Sequence, residues 1–118
     1  MEEFTYTSEL KGDIQTIFDE FLGYYKALGY IPIIIDAPNS ILLSRGKKVG
    51  FTWKSSITEV SINLSGIEKN INIICKYTKP ADTVSFIPSS KLTMDKFYKN
   101  EFDGIIKKLK PPEPLFKV

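Results

Sequence analysis

The sequence contains no histidine. The commonest general base and the commonest metal ligand are therefore missing, and triads of the Ser-His-Asp or Cys-His kind are excluded. A single cysteine, Cys75, leaves no partner for an internal disulfide and is too few thiolates for a structural zinc site. No apolar run approaches the roughly 20 residues that span a bilayer; the longest clusters are Ile31 to Ile35 and Ile71 to Cys75. The N-terminus reads MEEFTYTSEL, with no basic start leading into an apolar stretch, so the expected location is the cytoplasm, with no membrane partner. The triplet Asn63-Leu64-Ser65 then has no occasion to be glycosylated. No glycine-rich phosphate loop occurs either: Gly46-Lys47-Lys48 lacks both the earlier glycine and the following Ser or Thr. The two S-x-x-K matches, at Ser8 and Ser44, are about as many as chance gives. No cofactor or metal is implied.

What is present suits one folded domain over residues 1–110, with a proline-rich tail at 111–118. The 118 residues are 42% hydrophobic and 25% charged, enough for a single core without covalent staples. The net charge of +2 is unevenly spread. Acids dominate up to Leu43, whereas Arg45, Lys47, Lys48, Lys54, Lys69, Lys76 and Lys79 make the middle of the chain basic.

Period-two alternation at Phe4, Tyr6 and Leu10 predicts a first strand. Asp13 is a suitable N-cap for a helix carrying Ile14, Ile17, Phe18, Phe21, Leu22, Tyr25 and Leu28 on one stripe, and Gly29 supplies its stop. A strand at Ile31 to Ile35 follows, where Pro32 fits an edge. After a turn at Ala37 to Ser40, strands are predicted at Ile41 to Arg45, at Val49, Phe51 and Trp53, at Val60, Ile62 and Leu64, and at Ile71, Ile73, Cys75 and Tyr77. Gly46-Lys47-Lys48 and Ser65-Gly66 are read as turns, Ser55-Ser56 as a bend, and Pro80-Ala81-Asp82 as a stop. Thr83 to Ile87 is extended, and Ser89 or Ser90 caps a closing helix through Met94, Tyr98, Phe102, Ile105 and Leu109, weakened locally by Gly104. Pro111, Pro112 and Pro114 forbid its continuation.

Hairpin-length links demand antiparallel pairing, and two amphipathic helices need an apolar face to cover. The expected fold class is therefore α+β: a two-layer sandwich in which an antiparallel meander, Val49, Phe51 and Trp53 included on its covered face, is backed by two helices on one side. This element order resembles the topology of TATA-box-binding-protein halves and the related helix-grip proteins. The resemblance implies a fold and leaves the activity open.

Four functional readings arise from the residues. Asp36 and Asp82, at strand ends, are carboxylates placed for acid/base work or are turn residues beside Pro38 and Pro80. Cys75 alternates in phase with core positions, as an inert buried thiol does. The seven central bases form a surface for nucleic-acid phosphates if they share a face, although one arginine and an open sheet face with Ile74 as its apolar residue suit neither base readout nor stacking. Phe21, Tyr25, Trp53 and Tyr77, with Phe18, Tyr24 and Tyr30, line a small-molecule pocket under the first helix or fill the core. The preferred reading is a non-enzymatic module that binds a protein partner or itself, with the P-x-x-P tail as a further docking element.

Overall fold

The computed structural model describes residues 2–47, 49–80, 84–87 and 90–110, the segment 84–87 by its backbone alone. Lys48, Asp82 and the proline-rich tail lie outside the described residues. The elements run β1 (Glu2–Lys11), α1 (Ile14–Ala27), β2 (Ile31–Asp36), β3 (Ser40–Arg45), β4 (Val49–Thr52), β5 (Thr58–Ile67), β6 (Asn70–Lys79), β7 (Val84–Ile87) and α2 (Lys91–Leu109). Five of the strands form one antiparallel sheet in the order β1-β6-β5-β3-β2. Both helices lie on one face of it, so the chain is an α+β sandwich of the helix-grip kind.

Local chemistry accounts for the helices. The Asp13 carboxylate accepts from the Thr16 amide at 3.0 Å, satisfying an orphan donor of the first turn, and Gly29 at φ +96° adopts the left-handed turn just past the end. Ser90 caps α2 in the same way through Thr93. Ile17, Phe18, Phe21 and Tyr25 of α1 and Met94, Tyr98, Phe102, Ile105 and Ile106 of α2 face the sheet. Where the helices meet, the Tyr24 hydroxyl donates to the Glu101 carbonyl at 2.6 Å and fills the space beside Gly104 that a Cβ would claim. The glycine that weakens α2 as an isolated helix thus admits α1 to it.

Register sorts the sheet into two faces. Phe4, Tyr77, Val60, Leu43 and Pro32 make one row beneath the helices, and Tyr6, Cys75, Ile62, Ile41 and Ile35 make the next. The alternate residues form an open face with rows Thr5-Lys76-Ser61-Leu42-Ile34 and Thr7-Ile74-Asn63-Ser40-Asp36.

The structure corrects three expectations. Val49 and Phe51 are exposed, Phe51 by 68%, because β4 leaves the meander and pairs in parallel with β7 in a sheet of its own. Gly46, at φ +99°, and Gly50 let the loop fold onto the backbone of Ser55 and Ser56, so β5 pairs directly with β3. Trp53, beyond the end of β4, is buried. Ser65-Gly66 is strand rather than turn: Gly66 pairs with Ile71 where the backbones come too close for a Cβ, and the chain reverses at Glu68-Lys69, with Glu68 at φ +59°.

Candidate functional site

A buried network of phenols lies between the helices and the sheet. Tyr25 on α1 and Tyr77 on β6 place their hydroxyls 2.8 Å apart, with the Cys75 Sγ 3.5 Å from Tyr25. Phe21 stacks on Tyr25, Tyr77 stacks on Tyr98, and Trp53 meets Tyr98 and Phe97 edge-on. Of the four aromatics considered as a pocket, Phe21, Tyr25 and Tyr77 are wholly buried and Trp53 nearly so. A groove of about 370 Å³ opens elsewhere, between β1 and the start of α2, lined by Glu3, Phe4, Thr5, Lys91, Leu92 and Asp95. Burial pushes Tyr25, Tyr77 and Tyr30 well above the usual phenol range, and the Cys75 thiol up to about 12. A thiol held protonated in this way is a poor nucleophile at neutral pH.

Charge enters this layer at one point. Glu101 of α2 takes an ion pair from the Arg45 guanidinium at 3.1 Å and a hydrogen bond from the Tyr30 hydroxyl at 2.9 Å. Arg45 also donates to the Leu28 carbonyl at 3.0 Å and lies over the Tyr30 ring, 4.1 Å from its centroid. The group joins α2 and β3 to the link between α1 and β2. Because both charges are largely withdrawn from water, removing one strands the other. Glu101→Ala is expected to cost about 2–4 kcal/mol in urea unfolding. Combined with Arg45→Met it should cost less than the two single changes added; strict additivity would show that the pair is not coupled.

Among the described residues, the central bases do not form one patch. Lys79 is 8% exposed, its ammonium donating to the Trp53 carbonyl, to the Ser56 carbonyl at 3.1 Å and to the Ser56 hydroxyl at 2.8 Å. It tethers the loop after β4 to β6 and is withdrawn from any surface role. Arg45 is taken up by Glu101. Lys54 lies over the Phe97 ring at 4.9 Å, Lys47 is exposed in the β3–β4 link, and Lys76 stands alone on the open face between Thr5 and Ser61. Lys69 occupies the turn before β6, one ten-residue strand, or about 30 Å, from Lys79. Asp36 closes the exposed edge strand β2, with its carbonyl accepting from the Asn39 amide at 2.9 Å as a turn residue does.

Among the described residues, exposed large apolar side chains are most concentrated along β2, at the sheet's edge. Ile31, Ile33, Ile34 and Ile35 are 51 to 69% exposed. Ile31 opposite Ser44 and Ile34 opposite Leu42 point to the open face, Ile35 opposite Ile41 points to the helix side, and Ile33 falls in the irregularity between Pro32 and Ile34. The open face is therefore more apolar than Ile74 alone implies, with Ile31, Ile34 and half-buried Leu42 grouped at its β2 side. Pro32 announces the edge in the sequence; nothing in the sequence reveals how exposed the run is.

No protein-family model matches the chain, and no curated protein matches it. The fold defines a small α+β helix-grip-like domain. It is similar to the solution structure of the Aha1 dimer from Colwellia psychrerythraea, with a TM-score of 0.65 and 10% identity over 97% of this chain and 100% of that one. That likeness concerns the fold. Among the described residues no helix is long and apolar enough to cross a membrane.

Proposed function

We propose that the chain is a small, non-catalytic, cytoplasmic association module that pairs with copies of itself, with β2 as the docking element. The observation that carries this reading is the exposure of four isoleucines on one six-residue edge strand. Edge strands of monomeric domains usually carry charges or are covered, because an apolar edge templates association. Support of a second kind comes from the similar Aha1 structure, since that protein is a dimer. The nucleic-acid alternative is less favoured, since among the described residues Arg45 and Lys79 are taken up by internal partners and Lys54, Lys69 and Lys76 lie on separate surfaces.

Sedimentation equilibrium of the full chain tests the reading. A monomer–dimer equilibrium is expected with a dissociation constant on the order of micromolar, as suits a small interface. Ile34→Lys, at an exposed position, should weaken it at least tenfold while leaving the circular dichroism spectrum unchanged. A wild-type chain that stays monomeric to millimolar concentration would refute the proposal.

A further inference from the structure

The two edges of the main sheet are built differently. β1 carries Glu2, Glu3, Glu9 and Lys11 along its length and alternates apolar with polar residues. β2 reads Ile-Pro-Ile-Ile-Ile-Asp, with apolar side chains toward both faces and one charge at its end. A strand apolar on both faces is the composition of a strand in the interior of a sheet. β2 thus has the side chains of a central strand in the position of an edge strand.

We infer that the association proposed above, on which this inference rests, joins two copies edge to edge: β2 of one chain pairs antiparallel with β2 of the other, and two five-stranded sheets become one continuous sheet of ten strands. Three considerations select this arrangement. The first is closure: antiparallel pairing of a strand with its own copy about a two-fold axis uses the same edge twice and stops at two chains, leaving the charged β1 edges outermost. The second is charge. Antiparallel pairing in register sets the two Asp36 carboxylates at opposite ends of the six-residue pair, about 17 Å apart and beyond the roughly 8 Å screening length at physiological salt. Parallel pairing would set them side by side. The third is area. The four isoleucines expose roughly 400 Å² per copy, within the range of patches that mark interaction sites. Together with the strand backbone this reaches the low end of specific interfaces, where weak, reversible dimers lie. Pro32 has no N–H, so the new ladder lacks that donor, and the irregularity after it limits the registers in which the two strands match.

Pulsed electron-spin distance measurement on full-length protein tests the geometry. Nitroxides are attached at Thr7→Cys, on the open face of β1, and separately at Asp36→Cys, both at exposed positions; native Cys75 is fully buried. In the continuous sheet the Thr7 labels are separated by nine strand spacings plus the antiparallel offset, about 40–50 Å, and the Asp36 labels by about 20 Å. Sheets stacked through their open faces would bring the Thr7 labels within about 20 Å, and head-to-tail pairing of β1 with β2 would give growing oligomers with Thr7 spacings near 25 Å. Either result, in a protein that does associate, overturns the edge-to-edge arrangement and leaves the association reading standing. A monomer at every concentration would sink both.

Discussion

Raising the pH is expected to leave all six tyrosines protonated until the protein unfolds, and then to ionise them together. Tyr6, Tyr24, Tyr25, Tyr30, Tyr77 and Tyr98 are the chain's whole complement, and each has its phenol raised above the ordinary value near 10, in every case chiefly by burial, with Tyr98 at about 12. Asp95 adds to the effect on Tyr6 through its hydrogen bond, and Glu101 adds to it on Tyr24 and Tyr30. A group whose folded pKa exceeds its unfolded value stabilises the fold fully below the unfolded value, and that stability is lost as pH rises toward the folded one. For the four phenols that are essentially buried, Tyr25, Tyr30, Tyr77 and Tyr98, the loss amounts to about 5 kcal/mol per pH unit once pH passes roughly 10.5.

Two other groups bear on the approach to that point. Cys75, raised to about 12 from an ordinary 9, begins to withdraw stability above pH 9. Lys79, lowered to about 8 by burial and by the positive charge of Arg45, acts in the opposite sense, because between pH 8 and 10.5 the unfolded chain binds the extra proton. One proton each way makes these two nearly cancel from pH 9 to 10.5. Stability should therefore hold roughly level to about pH 9.5, begin to fall as pH passes the unfolded phenol value near 10, and collapse within about two units, since total stabilities are only about 5–15 kcal/mol. Absorbance at 295 nm and far-ultraviolet circular dichroism recorded in one titration check this. Coincident transitions are expected; phenolate appearing gradually near pH 10 with the dichroism intact would contradict the buried tyrosine network.

The elements read correctly from sequence are those whose signals are local. Asp13 as cap, the stripe from Ile14 to Leu28 and Gly29 as stop all lie within one helix and its flanks, and the structure places α1 accordingly. The alternation of Val49, Phe51 and Trp53 marks the strand β4 but not its partner: Gly46 and Gly50 admit the backbone of Ser55 and Ser56, and β4 pairs with β7 outside the main sheet, leaving Val49 and Phe51 exposed. Lys79 is a different case. It continues the phase of Ile71, Ile73, Cys75 and Tyr77, so its burial was legible from position, and it was its charge that suggested the surface. What satisfies that charge, the Trp53 carbonyl and Ser56, comes from a loop more than twenty residues away. The Arg45–Glu101 pair spans a longer stretch of chain and leaves no mark in sequence spacing. For the candidate edge, the strand and its edge position were legible from the apolar run and Pro32; its exposure depends on which strands flank it.

Two acidic substitutions three residues apart on β5 are expected to have opposite consequences. Val60 is fully buried, between Leu43 and Tyr77 in the row beneath the helices. A carboxylate at that position has no donor to receive it, so Val60→Asp must either bury an unpaired charge or open the sheet, at a cost expected to exceed about 4 kcal/mol and to abolish the cooperative thermal transition. Phe21→Asp, on the helix side of the same layer, should do likewise. Asn63 lies on the open face with its amide donating to the Ser61 hydroxyl at 3.2 Å, and Asn63→Asp should change stability by no more than about 0.5 kcal/mol. Thermal melts of the three variants read the contrast directly. Indistinguishable melting temperatures would mean that the helices do not cover the Val60 face alone. The contrast also isolates folding from association: a folded Asn63→Asp protein that still dimerises keeps the centre of the open face free of the interface, as pairing through β2 requires.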